Sequence, residues 1–283
     1  DLNGWTLLFL AGLAAFFAAF LFYPASHLLR QAFGTSGEWT LRHFGSLLAS
    51  PLSREALMNS LALATATTLG CSMLAVPLAH VFTRWEFAGR GLLSSLLLVP
   101  MIMPPFVGAI GLKQVLARFG ALNLLLQQAG WADPAQPIDW LGSGGLGGVW
   151  ALQVLNLYPI LFLNVMAAMA NIDPSLREAA QGLGAGAWRL FRTVTLPLIV
   201  PGWFAGAIIV WIWSFTDLGT PLVFDCSRVV PVQVFDAVND LNTNPQGYAL
   251  VVVVLVLTVA LFVASKRLLA HRGHAMMARG HVA

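Results

Sequence analysis

Charged side chains are scarce in this sequence. Its 283 residues include 15 Lys and Arg and 12 Asp and Glu, 10% of the chain, against 58% hydrophobic residues. A soluble domain carries about 25% charged residues, and no soluble fold of this size hides so much apolar surface. The shortage excludes an ordinary soluble enzyme, a disordered chain and a disulfide scaffold, and it points to a polytopic membrane protein. The formal net charge of +3 is too small and too scattered for a nucleic-acid binder. Cysteine is nearly absent. Cys71 lies in an apolar run and Cys226 in a polar one, so neither a disulfide nor a metal site is expected. Lysine occurs twice, as Lys113 and Lys266, and neither belongs to the G-x-x-x-x-G-K-[ST] loop that cradles ATP phosphates. H-E-x-x-H, C-x-x-C and G-x-S-x-G are missing as well, which removes the common metal, redox and hydrolase sites. The six histidines are dispersed, and His271 and His274 in the basic tail read as solvated or lipid-facing rather than as ligands. The chain begins with Asp, so the encoded N-terminus is expected to be missing or processed. The first apolar run has no basic residue before it and is too long for a signal-peptide core.

What the sequence does have is long apolar runs. A helix needs about 20 apolar residues to cross the hydrocarbon, because lipid cannot satisfy backbone polar groups. Six runs qualify, at about 5–29, 56–82, 91–112, 145–170, 196–216 and 247–265. A seventh, 119–132, is too short to cross and reads as an interfacial or packed helix outside the bilayer. The expected fold is an all-α polytopic membrane protein, with residues 1–283 forming one transmembrane domain. An even number of spans puts both termini on one side. That side receives nine of the 15 Lys and Arg and a net charge of +5, against −2 on the other, so it should be cytoplasmic.

The loop 171–195 between the fourth and fifth spans faces that side. Asp173 is suited to cap a helix, Pro174 to open it, and Ser175 to Gln181 to continue it for about two turns. Gly182, Gly184 and Gly186 should turn the chain. A second short helix is expected over Ala187 to Thr195, with Trp188, Phe191 and Val194 at helical spacing, before Pro197 and Pro201 open the fifth span. Such a unit is amphipathic enough to fill a partner's groove.

Glu178-Ala179-Ala180, Gly184 and Val194-x-Leu196-Pro197 stand at the spacing E-A-A-x3-G-x9-I-x-L-P, with Val in place of Ile. In this the chain resembles the EAA-loop permeases of binding-protein-dependent ABC importers. Leu98-Val-Pro-Met-Ile-Met-Pro-Pro105 and Gly120-Ala-Leu-Asn123 extend the likeness over most of the chain, with the first span as a peripheral helix. The resemblance implies a MetI-like type I ABC importer permease core in the bacterial inner membrane. It implies two cytoplasmic ATPase subunits that carry ATP and Mg, a second permease half, identical or homologous, and a periplasmic substrate-binding protein. The chain itself would hold no cofactor and no metal and would catalyse nothing. The contact with the ATPase would fall on Arg177, Glu178, Ala179, Ala180, Gly184, Trp188, Leu196 and Pro197. Arg189 and Arg192 could equally anchor the loop at the lipid surface.

The pathway is expected where the spans carry polar or helix-breaking residues. Pro100, Pro104 and Pro105 should kink the third span. Gln153 and Asn156, three apart in the fourth, read either as bonds between helices or as pathway lining. The fifth span ends in Trp213, Ser214, Thr216 and Asp217, and an ionisable group there is either a boundary charge or part of the pathway. This stretch resembles permeases for ferric iron, phosphonates and polyamines. The outer segment 224–246, with Asp225, Asp236 and Asp240 against Arg228, is long enough to touch a binding protein. The rival reading is a secondary transporter driven by an ion gradient. It is disfavoured because no span holds an Asp, Glu, Lys or Arg except Asp217 at its edge.

Overall fold

The computed structural model describes residues 3–34, 39–140, 145–239 and 246–277. Among them the regular structure is helical, and six helices are long and apolar enough to cross a membrane. In chain order the helices are α1 (Gly4–Phe33), α2 (Arg42–Ala49), α3 (Pro51–Arg84), α4 (Arg90–Ile102), α5 (Pro105–Leu116) and α6 (Ala121–Gln128). Then follow α7 (Leu146–Ala170), α8 (Pro174–Gly182), α9 (Ala187–Thr216), α10 (Gly219–Val223), α11 (Val230–Asn239) and α12 (Gln246–Met277).

The core is a three-helix contact of α3, α7 and α9. Small residues on α3 (Cys71, Ala75, Ala79) repeat every fourth position and let α7 approach closely, so Leu161, Phe162 and Val165 are fully buried. On α9 the same device appears as Gly202 and Gly206. A Cβ at Gly202 would stand 2.5 Å from the Ala168 Cβ, and one at Gly206 2.8 Å from Leu161 Cδ1. Side-chain bonds supplement this packing: Trp203 Nε1 donates to Ser72 Oγ (2.9 Å), and the Tyr158 hydroxyl donates to the Leu97 carbonyl (2.7 Å). By contrast, α1 has no buried residue before Ala32, and its last turns pack on α12 and, through Phe33, on Phe44 of α2 (ring centroids 5.0 Å), the peripheral placement expected of the first span.

The region expected as a third span at 91–112 differs from expectation. Instead of kinking, it breaks: α4 ends at Ile102, Met103 and Pro104 are extended (ψ 132° each), and α5 restarts at Pro105. A proline removes a backbone donor and drives the residue before it out of the helical region. Two in succession do this to Met103 and Pro104 together. The apolar segment long enough to cross is Pro105–Gln128, made of α5 and α6 around a turn, and α6 is the short helix expected near 119–132.

That turn explains the Gly120-Ala-Leu-Asn123 signature. A Cβ on Gly120 would lie 2.6 Å from the Val115 carbonyl oxygen, so only glycine fits. Asn123 is fully buried. Its Nδ2 donates to the carbonyls of Arg118 (2.9 Å) and Ile138 (2.8 Å), and its Oδ1 accepts from Trp140 Nε1 (3.0 Å). Asn123→Ala should therefore destabilise the fold by about 1–3 kcal/mol, the cost of stranding buried polar groups. Thermal unfolding in detergent measures this, and an unchanged midpoint would refute the structural role.

Candidate functional site

Two features hold most of the residues singled out in the sequence: the α8–α9 loop at one end of the bundle and a polar cavity at the other. In the loop, Asp173 Oδ1 accepts from the Ser175 backbone N–H (2.9 Å), capping α8, and Pro174 opens it. The Ser175 N–H, together with its hydroxyl, holds the Asp173 carboxyl below the usual carboxylate range. Of the three glycines only Gly184 needs its freedom. Its φ is +79°, and the turn is closed by Ala185 N–H to the Ala180 carbonyl (3.0 Å). Gly182 belongs to α8 and Gly186 is ordinary extended backbone, which corrects the expectation that all three make the turn.

The second helix of the loop is not separate. From Ala187 the chain runs without interruption through a π-helical turn at Phe191–Thr195 into α9 and on to Thr216. Pro197 and Pro201 were expected to open a new helix. Instead a π turn at Phe191–Thr195, closed by the Leu196 N–H to the Phe191 carbonyl, directly precedes Pro197, and the helix continues. The result is a rod of 30 residues, about 45 Å long at 1.5 Å per residue. Glu178, Ala179, Gly184, Leu196 and Pro197 are exposed, as is Trp188, stacked on Phe191 at 5.8 Å. Arg177 is half-buried and lines an inner cavity with His80 and Arg90, on a different surface from the exposed Glu178 and Trp188.

The far end of the rod meets the polar cavity, of about 300 Å³. Gln153, Asn156, Trp213, Thr216 and Asp217 all line it. Ser214 sits behind its wall. Gln153 is 2% exposed and uses its whole amide: Oε1 accepts from Ser214 Oγ (2.6 Å) and Thr67 Oγ1 (3.0 Å), and Nε2 donates to Asp217 Oδ2 (3.0 Å). Asp217 Oδ1 accepts from the Thr220 N–H (3.2 Å), which starts α10. Gln153 thus does both things its position suggested, bonding between helices and lining the cavity. Asp217 makes no ion pair among the described residues. Pro105, at the break between α4 and α5, completes one wall with Leu157.

Sequence reasoning missed Thr67 and Thr220 as parts of this site, whereas Pro105 was among the helix breakers taken to mark the pathway. Thr67 carried a signal, a hydroxyl within a charge-free run. Thr220 stands three residues after Asp217 and joins the site through that carboxylate, while Pro105 is brought to the cavity by packing. Near the same end, Asp225 pairs with Lys113 (2.6 Å) and Arg228 with Glu55 (2.9 Å), so the stretch around these two residues is tied to α5 and α3. Asp240 lies outside the described residues. No group of three His, Cys, Asp or Glu among the described residues is placed to hold a metal.

Residues 71–272 match the family described as the binding-protein-dependent transport system inner membrane component. The molybdenum transport system permease protein ModB of Haemophilus influenzae is 27% identical over 234 residues, covering 81% of this chain and 98% of ModB. A 2-aminoethylphosphonate transport system permease protein of Salmonella typhimurium, PhnU, so described on a provisional basis, is 29% identical over 234 residues, covering 82% and 79%. In fold, the chain matches part of a bacterial alginate ABC transporter crystallised with its alginate-loaded periplasmic protein. The TM-score is 0.75 at 20% identity, with 92% of each chain covered.

Proposed function

The chain belongs to the binding-protein-dependent transport system inner membrane components, and from that membership we propose how its two ends divide the work. It is a multi-pass permease subunit of an ABC importer and not an enzyme, since ATP is hydrolysed on a separate subunit. The polar cavity, in this reading, is one wall of the translocation pathway. The α8 loop is the surface on which a cytoplasmic ATPase docks, through Glu178, Ala179, Ala180, Gly184 and Trp188. Both termini lie on the cytoplasmic side, two ATPases and a second permease half complete the complex, and the periplasmic binding protein meets the cavity end. Residues 1–283 act as one transmembrane domain.

One observation carries the proposal: a single uninterrupted helix, α9, joins the loop to the cavity. Its first turn adjoins Gly184, and its last carries Trp213, Ser214 and Thr216, with Asp217 as its cap. A push on the loop moves a rigid rod, and the rod's far end belongs to the Gln153 network. Two packings of that end would give inward-open and outward-open states, with ATP-bound and ATP-free partners favouring different ones. Among the cargoes implied by sequence, a phosphonate has PhnU beside it, and we retain it ahead of ferric iron and polyamines. Family membership also decides for the ABC importer over the gradient-driven transporter.

The test uses single cysteines at Asn156 and Thr216, both in the cavity wall. Cys71 and Cys226 are buried and give little background. In proteoliposomes with the ATPase subunits, a membrane-impermeant thiol reagent should label both sites from one side without nucleotide and from the other with ATP trapped. Labelling from the same side in both states, or uptake without any ATPase, would overturn the reading.

A further inference from the structure

At the loop end of the bundle lies a second cavity, of about 410 Å³. It opens between α3, α4, α7 and α8. His80 and Thr83 reach it from α3, Arg90 from the first position of α4 and Arg177 from α8. Apart from Thr195, the remaining wall is apolar, with Met166 and Met169 prominent, and among the described residues no acidic side chain lines it.

The charges there are poorly matched. Arg177 makes no ion pair among the described residues. Arg90 approaches only Glu86, at 3.9 Å, and that carboxylate is 93% exposed, so the pair is worth little. The Thr83 hydroxyl is already spent on the Ala79 carbonyl (2.8 Å). Arg84, one residue on, lies over the Trp85 ring at 5.4 Å. His80 is held edge-on by Trp85 and Phe191, with ring centroids 5.8 and 4.9 Å away. Two guanidinium groups and an imidazole therefore share one half-apolar cavity, with the exposed Glu86 as the one carboxylate near them among the described residues. Guanidinium donors need acceptors, and like charges in a partly desolvated space repel.

We propose that this cavity is a binding site for a tetrahedral oxyanion of the phosphate class, held by Arg90 and Arg177 with His80 as a third donor. A phosphate group supplies both the negative charge and the paired acceptor oxygens that arginine engages in a fork. The phosphate has two sources, the headgroup of an anionic lipid in the adjacent leaflet or a free oxyanion in solution. Either one bridges α8 to α3 and α4. Occupancy then biases the position of the loop that receives the ATPase, and loop movement changes anion affinity by the same factor. Arg177 thereby acts from within the bundle, behind the surface that Glu178 and Trp188 present.

The test takes the full chain in nanodiscs. One arm uses phosphatidylcholine nanodiscs titrated with inorganic phosphate. The other uses increasing phosphatidylglycerol in phosphate-free buffer, with bound lipid counted by native mass spectrometry. A saturable rise in unfolding temperature is expected in at least one arm, and the arm that responds names the source. Arg90→Gln and Arg177→Gln should each weaken half-saturation about tenfold or more, the worth of one charged hydrogen bond. His80→Phe, which keeps the ring packing, should weaken it less, and Arg118→Gln, remote from the cavity, should leave it unchanged. Arg177→Lys retains the charge and keeps a measurable site if Arg177→Gln does not fold. No saturation in either arm, or saturation indifferent to Arg90 and Arg177, overturns the proposal.

Discussion

A chain carrying Gly184→Val is expected to assemble in the membrane and yet lose ATP-driven uptake by about 5- to 150-fold, the range that corresponds to a 1–3 kcal/mol penalty. The penalty comes from one backbone angle. Gly184 stands at φ +79°, where a β-branched residue is strained by about 1–3 kcal/mol. No space is at issue, because a Cβ there meets nothing within 4 Å. The strain falls on the turn that sets α8 against the start of the α9 rod, far from the buried α3–α7–α9 contact, so unfolding temperature should barely move while coupling fails. Gly184→Asn should retain much of the activity, since asparagine tolerates this region better than other side chains do. Gly182→Ala and Gly186→Ala should be near neutral, because neither glycine has positive φ and a Cβ on either meets open space. Uptake into proteoliposomes with the ATPases, beside thermal unfolding, separates these outcomes. Equal losses at all three glycines would show that general loop flexibility, not the left-handed turn, is what matters.

The same loop marks the limit of what the sequence reveals. Its cap at Asp173, its helix and its essential glycine are local chemistry, written in residues that touch one another along the chain. The rod is not. Pro197 and the glycines before it argue for a break, and only the π turn at Phe191–Thr195 shows how the helix survives. In the third apolar region the error ran the other way. Pro100, Pro104 and Pro105 were visible, but a kink and a full break differ in what packs around them, and α5 restarts against α7 and α10. The cavity was legible in part because Gln153 and Asn156 share a helix face and Asp217 ends a helix. The partner Thr67 was hidden by 86 residues of separation, whereas Thr220, three residues past Asp217, was a local capping contact that went unread. Gly202 and Gly206 form a small-xxx-small pair that could have been read as a close helix contact and was not.

The Gln153 network supports a sharper prediction, because its donors and acceptors can be exchanged. Gln153→Leu strands Asp217 Oδ2 and the hydroxyls of Thr67 and Ser214 in a buried site. Each loss costs about 1–3 kcal/mol, and uptake should collapse together with stability. Gln153→Glu keeps the acceptor for Ser214 and Thr67 but sets a second carboxylate against Asp217, where the native contact is 3.0 Å. Like charges at that distance disfavour both being ionised, so this variant should also fail. Asp217→Asn alone keeps the acceptor for the Thr220 N–H and removes the charge. Combining Gln153→Glu with Asp217→Asn restores the pattern with its polarity reversed. The new Glu accepts from Ser214, Thr67 and the new Asn amide, and the site again holds one carboxylate. The double variant should therefore be more stable than Gln153→Glu, with a favourable interaction energy of about 0.5–3 kcal/mol in a double-mutant cycle. Uptake then discriminates between two roles. If Asp217 serves only to hold α9 and α10 against α7, the exchanged pair transports. If its carboxylate must itself face the cargo, the exchanged pair folds and does not transport, because the charge has moved from the end of α9 to α7. Additive effects of the two substitutions on stability would show that the hydrogen bond between them does not matter, and the network would lose its claim to couple the rod to the cavity.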